Sequence, residues 1–498
     1  MVVGLSWEPR TFDPHVSSSW EAPTVGKLVF DTLVYHAADD KVWPGLATDW
    51  EVSDDGLLYT FYLRDDVTFH DGTPFTAEAV RYSFDRVVDP ATKSEAAASY
   101  IEPYESTEIV DDYTVRIHLS APLASFLDAL GRAELSIVSP AAAEEWGEDF
   151  VDHMVGTGPF MFKEWVRQSH LTLVRNPDYN WAPGCFDNQG PAYLEEIVFQ
   201  FLPEAVVRVG TLETGEVHLI NDVPPTDYAR LAADSAFATY TSVQPGVPMI
   251  IAMNVTLAPT DDVRVRQALE YAVDKQAIVD TLFEGLYDVA HGPLAPSTLG
   301  YWAGAEEMYG YDPAKSESLL EEAGWVDTDG DGIRDKDGQP LTLEWPTHEW
   351  QRTNEVAEMV QAQLREIGVD VAVNLGAWPA SYEAWNNCEH NLMDSGYEGR
   401  DPDVLSTMLL SSNVGQGYAV TCIKDDHIDE LLMQGRASTD QEERLAIYAE
   451  LQQIIMDEAL FLPVRQFGML AATRAEVKGF QFQPTGVSLL LYPVYLEE

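Results

Sequence analysis

The sequence predicts an α/β protein, and three stretches carry that prediction. Residues 63–88 (LRDDVTFHDGTPFTAEAVRYSFDRVV) read as strand, tight turn and helix, residues 312–324 as a capped helix, and residues 353–375 as a helix followed at once by a strand. Apolar residues recur with period 3.6 in some windows and period 2 in others along the whole chain, which argues against an all-α or all-β protein.

Each element has a local reason. Asp71-Gly72 is a turn pair because glycine takes positive φ without a Cβ clash. Thr76 is placed to cap the following helix, and Glu78 lies in its positively polarised first turn. Ala77, Val80, Phe84, Val87 and Val88 share one face of that helix. Pro245-Gly246-Val247-Pro248 breaks regular structure and marks a crossover between domains. Asp312-Pro313 pairs an N-cap with the favoured first-turn proline, and Gly324 ends the helix. Thr353 opens a helix with Val356, Val360, Leu364 and Ile367 on one side and Gly368 at its close. Val369, Val371, Val373 and Leu375 then alternate along a strand. Thr439 and Glu442 form a capping box before a helix carrying Leu445, Tyr448, Leu451 and Ile455. There is no internal repeat and no low-complexity tract.

With 498 residues the chain is long enough for two or three domains. Acidic residues number 83 against 29 basic ones, and the net charge is −54. A field of that sign repels nucleic acid and anionic headgroups, so no nucleic-acid partner is expected. The acidity reads as a solvated surface. With lysine far scarcer than arginine it suits a salty habitat, and self-repulsion should destabilise the fold at 0.01 M salt, where the Debye length is about 30 Å. No run of 18 apolar residues exists, so no transmembrane helix is expected. The N-terminus has no basic segment followed by an apolar stretch, so no signal peptide is expected within this sequence. Of the three cysteines, Cys388 and Cys422 are the candidate disulfide, closing a loop of about 35 residues worth roughly 3–4 kcal/mol. Three free buried thiols are the alternative. Neither cysteine nor histidine spacing suggests zinc.

The strongest motif read from residues alone is DTDGDGIRDKDG, residues 327–338. Counting from Asp327, carboxylates fall at positions 1, 3, 5 and 9 (Asp327, Asp329, Asp331, Asp335). The Ile333 carbonyl falls at 7, with Gly332 at the sharp-turn position 6. A hard cation needs six to eight oxygens, and this spacing folds them around one point, so a structural Ca²⁺ is expected. Gly338 stands where a bidentate glutamate usually sits, so Asp337 or a distant residue must complete the shell. An acidic surface loop without metal is the alternative.

Residues 63–88 also resemble a signature of the extracellular solute-binding family 5 of ABC transporters, the peptide/nickel class. Further segments match that family in the expected order. They are LSWEPRTFDPH and the region 27–64, GTGPFMFKEW with LVRNPDYNW between 156 and 181, RVGTLETGEVHLI at 208–220, and DDVRVRQALEYAVDK at 261–275. The resemblance implies a two-lobed periplasmic-binding-protein-like fold of the large class with an inserted subdomain. Lobe I would take 1–36, 156–245 and 468–498, subdomain II 37–155, and lobe III 246–467. Ligand would sit between lobes I and III, with two crossing strands as the hinge. It also implies a secretion signal already removed and Met1 added, an extracytoplasmic location, periplasmic or lipid-anchored at the surface, and a monomer that meets permease subunits of an importer.

In peptide-binding members an Asp shortly before a DPD-like run holds the peptide ammonium. Here Glu398 takes that place in GYEGRDPD (396–403), with Arg400 and Asp401 following. Glu398 reaches one methylene further and Arg400 can neutralise it, so pairing of the two with each other is the alternative. Trp20, Glu21, Trp350, Trp378 and Trp385 lie in segments that the resemblance places near the cleft, where indole faces stack on sugars or peptide side chains. His348, Glu349 and Arg352 are cleft candidates or an exposed polar loop. No GxSxG, GxxxxGK[ST] or GxGxxG is present, and HEWQR at His348 lacks the second histidine of a zinc protease. The expected activity is therefore capture, without catalysis, of a short peptide for an ABC importer. An oligosaccharide is the next ligand class, then a nickel or other metal chelate; a secreted carbohydrate-active or peptide-cleaving hydrolase and a calcium-stabilised surface adhesion protein are the least favoured readings.

Overall fold

The computed structural model describes residues 1–19, 21–37, 41–94, 96–348, 350–416 and 418–497. The chain divides into two units, Met1–Ser242 with Gly468–Glu498, and Val243–Phe467.

The first unit is built on a seven-stranded mixed sheet. Its order is Phe237–Thr241, Leu470–Arg474, Leu219–Ile220, Val2–Leu5, Glu196–Phe201, His170–Arg175 and Phe160–Val166. Val2–Leu5 runs parallel to both of its neighbours, and the other pairs are antiparallel. A four-stranded antiparallel sheet holds Ala47–Val52, Leu58–Leu63, Thr114–Leu119 and Tyr104–Asp111. Tyr59, Phe61 and Leu63 alternate inward from it, as period 2 requires.

The helix Ala77–Val88 follows with Ala77, Val80, Phe84 and Val87 buried. Two local expectations fail there. Val88 is 39% exposed because it is the last helical residue and lies past the packed stripe. Thr76 occupies the N-cap, but its side chain makes no cap bond; the Ala77 amide donates instead to the carbonyl of Asp112 at 2.8 Å.

In the second unit Gly246–Met253 is a central strand with every residue buried, paired antiparallel to Leu392–Glu398 and Phe461–Arg465. The Pro-Gly-Val-Pro run therefore does not break regular structure. The strand absorbs Pro248, which has no N–H to give, through register shifts between Val247 and Ile250. Beside it, Thr342–His348 and Asp370–Gly376 form a parallel pair joined by the helix Thr353–Glu366. Val369 and Val371 face the core, but Leu375 is 59% exposed because the strand outruns the helix that covers it. The Asp312 side chain caps Pro313–Glu322 by accepting from the Lys315 amide at 3.0 Å.

The cap near the C-terminus lies one residue later than the Thr439 box. Asp440 accepts from the amides of Glu442 and Glu443 at 2.9 and 3.1 Å and opens Gln441–Asp457. A carboxylate there answers two free amides and meets the positive end of the helix, which the threonine hydroxyl cannot match. Tyr448, Leu451 and Ile455 are buried as their spacing predicts.

The chain passes between units twice. On the first unit's side the Ser242 amide donates to the Met469 carbonyl at 3.1 Å, and within the second the Gln244 amide donates to Phe467 at 2.8 Å. Among the described residues no helix is long and apolar enough to cross a membrane.

Cys388 and Cys422 form a disulfide with a sequence separation of 34, and Cys185 lies outside it, half-buried. Replacing both bridged cysteines with serine is expected to cost about 4 kcal/mol, from the loop-closure entropy returned to the unfolded chain. Urea unfolding of the oxidised protein and the double variant measures it.

Candidate functional site

The predicted binding residues fall on both units. Trp20 and Glu349 lie outside the described residues. Glu21 precedes the helix Ala22–Val29 in the first unit and accepts from the Ser19 hydroxyl at 3.2 Å, and burial pushes its carboxyl up.

The second unit carries the remaining candidates, with Trp378 and Trp385 on the helix Trp378–Asn386 and others at or just after the ends of two strands. Thr342–His348 delivers His348 and the turn after it, while Leu392–Glu398 delivers Tyr397 and Glu398. Gly246 fixes the second of these. It pairs with Glu398 at φ +114, and a Cβ there would come within 2.2 Å of the Tyr397 carbonyl. Any side chain would drive the Glu398 end of the strand away from the chain's entry into this unit.

Rings form a continuous run between the two strand ends. Trp350 lies 6.4 Å from His348 and nearly parallel to it, and His348 meets Trp378 edge-on at 4.7 Å. Trp378 touches Tyr382 and Trp385 at 5.5 and 5.9 Å, Trp385 touches Tyr418 at 5.1 Å, and Tyr418 touches Tyr397 at 4.8 Å. Trp385 is the packed member of this run, only 3% exposed, whereas Trp378 on the same helix is 42% exposed. The exposed indole face thus belongs to Trp378. Tyr382, Tyr397 and Tyr418 join it without having been singled out in the sequence, since tyrosines scattered over 36 residues carry no local signal.

Beneath these rings Asp394 is buried and accepts from Trp345 Nε1 at 3.1 Å. Burial pushes its carboxyl up and the His348 imidazole down, while each partner's charge opposes the shift of the other. Arg352 donates through Nε to Glu355 at 3.0 Å, and the Arg400 carbonyl accepts from the Leu299 amide at 3.0 Å.

Asp401 serves the fold. Both of its oxygens accept from Arg444, at 2.5 and 2.8 Å, and Arg444 also donates to the Gly435 carbonyl. Asp403 accepts from Ser406 and Tyr448, and burial raises its carboxyl to about 6. The DPD run therefore locks the loop that carries Glu398 and Arg400 onto the helix Gln441–Asp457.

The acidic loop lies elsewhere in this unit. Carboxylate oxygens of Asp327, Asp329 and Asp335 lie within 4.8 Å of one another. Asp331 turns aside to accept from the Ile333 amide at 2.7 Å. Asp337 and Gly338, at φ +55 and +77, make the two-residue turn joining Asp335–Lys336 to Gln339–Pro340. Positions 11 and 12 of the motif thus form the hairpin turn.

Arg444→Met is expected to destabilise the protein by about 3–5 kcal/mol, because it strands a buried carboxylate. The double variant Asp401→Asn with Arg444→Met should recover much of that loss. Urea midpoints of the three proteins give the comparison.

The description "Bacterial extracellular solute-binding proteins, family 5 Middle" matches residues 41–418. The glutathione-binding protein GsiB of Salmonella paratyphi A is 30% identical over 499 residues, spanning 98% of this chain and 93% of that protein. NikA from Brucella suis, solved in complex with Fe(III)-EDTA, superposes with a TM-score of 0.89 at 26% identity, covering 100% of both chains. DppA from Helicobacter pylori, solved in complex with the peptide STSA, gives 0.80 at 28% identity, covering 100% of this chain and 98% of that one. The chain belongs to the bacterial extracellular solute-binding proteins of family 5.

Proposed function

We propose that the protein captures a short peptide outside the cytoplasm by hinge closure and delivers it to the permease of an ABC importer. One observation carries the choice of ligand. Glu398 stands at the end of a strand, pinned by Gly246 a few residues from where the chain enters the second unit at Val243. A carboxylate fixed there is suited to an ammonium group, and the exposed face of Trp378, joined to that strand end through Trp385, Tyr418 and Tyr397, is suited to an apolar side chain. Relatives named for glutathione, itself a small peptide, and for a bound peptide support this reading.

Closure follows from differential affinity: a solute that gains contacts in the shut form shifts the balance toward it. The division into lobe I (1–36, 156–245, 468–498), subdomain II (37–155) and lobe III (246–467) belongs to this proposal, as do the monomeric state and the absence of catalysis. A disulfide suits an oxidising compartment.

The run of rings favours a second reading, an oligosaccharide stacked on Trp378. A thermal-shift screen of short peptides, glutathione, oligosaccharides and metal chelates separates the two. A ligand at 100 times its dissociation constant should add about 2.7 kcal/mol. Glu398→Gln is expected to weaken a peptide by about tenfold or more and a neutral sugar hardly at all. Equal losses for both would remove Glu398 as the ammonium partner.

The acidic loop is proposed to hold one structural Ca²⁺ through Asp327, Asp329, Asp335 and the Ile333 carbonyl. The convergence of three carboxylates supports it, and Asp331 would have to swing inward to join them. Calorimetric titration of chelator-treated protein should release heat with calcium, and Asp327→Asn should reduce or abolish it. No heat from the unaltered protein would end the proposal.

A further inference from the structure

We propose that Arg465 is a positioning residue that clamps the turn 350–352 to the strand by which the chain leaves the second unit. The inference rests on the preceding reading only for the binding role of that turn.

Arg465 is the last residue of Phe461–Arg465, two positions before the crossing at Phe467. It is fully buried, and among the described residues no carboxylate pairs with it. Nη1 donates to the Gln466 carbonyl at 2.9 Å. Nη2 reaches the Gln351 carbonyl at 3.4 Å and its side-chain Oε1 at 3.2 Å, and Nε has no partner. In place of a counter-ion three rings surround the guanidinium, Phe283 at 4.3 Å, Tyr287 at 4.7 Å and Phe467 at 5.1 Å. The charged side chain facing it is another cation, Arg352, and burial together with that charge pushes Arg465 down to about 10. It remains protonated at neutral pH.

A buried cation without a carboxylate is a poor way to stabilise a core; an apolar side chain of similar volume usually does as well or better. What the guanidinium adds is a rigid fork, and the fork is aimed at Gln351. That residue needs holding. Gln351 and Arg352 are consecutive non-glycine residues at φ +50 and +64, a conformation that persists only where surroundings enforce it. The turn carries Trp350 and begins two positions after His348.

Phe467 extends the clamp. Its ring lies 5.1 Å from Trp350, and a Cβ on Gly396 would come within 2.1 Å of Phe467 Cε2. The segment 465–467 therefore touches the turn after one candidate strand and, through Gly396, the strand that ends at Glu398. Displacement of this segment during closure would be felt at both.

Hydrogen–deuterium exchange tests the clamp without any solute, so its outcome and that of the ligand screen are independent. In Arg465→Met, amides of residues 350–353 are expected to exchange about tenfold faster. Amides of Thr342–His348 should keep their protection, and the thermal midpoint should stay level or rise. Arg465→Lys, which keeps the charge but loses the fork, should exchange at an intermediate rate. Unchanged exchange at 350–353, or a lowered midpoint with protection lost throughout the unit, overturns the proposal. If Arg465→Met fails to fold, Gln351→Ala supplies the test. It removes the Oε1 acceptor, and several-fold faster exchange confined to the turn supports the clamp, whereas no change refutes it.

Discussion

The pairing of Gly246–Met253 with Phe461–Arg465 is the constraint on which the second unit depends. These strands bring together the first and last parts of that unit, and every residue of the first is buried. Bringing distant segments together costs loop-closure entropy that only packing on both faces offsets. Core residues on either side meet this need, with Met249 and Ile251 in one cluster and Ile250 and Ala252 in another. Alternation along one strand thus divides a single unit into two cores. Glu398 pairs with Gly246 close to the chain's entry into this unit, and Trp350 meets Phe467 at its exit.

The same constraint explains which polar groups the loop after Leu392–Glu398 spends on itself. A loop carrying two acidic residues and an arginine beside the candidate residue Glu398 has to be held in one conformation. Asp401 and Asp403 do this through Arg444, Ser406 and Tyr448, all supplied by helices of the same unit. The buried pair gives direction more than stability, since two desolvated charges largely cancel their mutual attraction. In so acidic a chain the arginines are scarce, and several are used as internal struts. Arg208 bonds four backbone carbonyls, and Arg266 bonds three.

Much of the fold was legible because it is written locally. Asp312-Pro313, Gly324, Gly368 and the Asp71-Gly72 turn each act through their own backbone, and each lies where spacing put it. Family resemblance added what no local pattern holds, namely the overall class. The misses share a different cause. Whether Trp378 or Trp385 faces solvent depends on Tyr418, distant in sequence. Asp401 looks like a ligand-binding carboxylate until Arg444, 43 positions later, is folded against it. Pro248 looks like a breaker until a bulge accommodates it. Arg465 lies in an unremarkable FLPVR stretch, and nothing there foretells three rings and a left-handed turn around it.

One bridge among three cysteines leaves an odd thiol, and this has a practical bearing on how the protein is handled. Cys185 is half-buried in the first unit, and a thiolate of that kind can attack an exposed disulfide once the chain loosens. Three sulfurs allow three pairings, and both incorrect ones recruit Cys185. A chain refolded in an oxidising buffer therefore meets scrambled isomers that would tie the first unit covalently to the second. Removing that single sulfur leaves Cys388 and Cys422 with only each other to find.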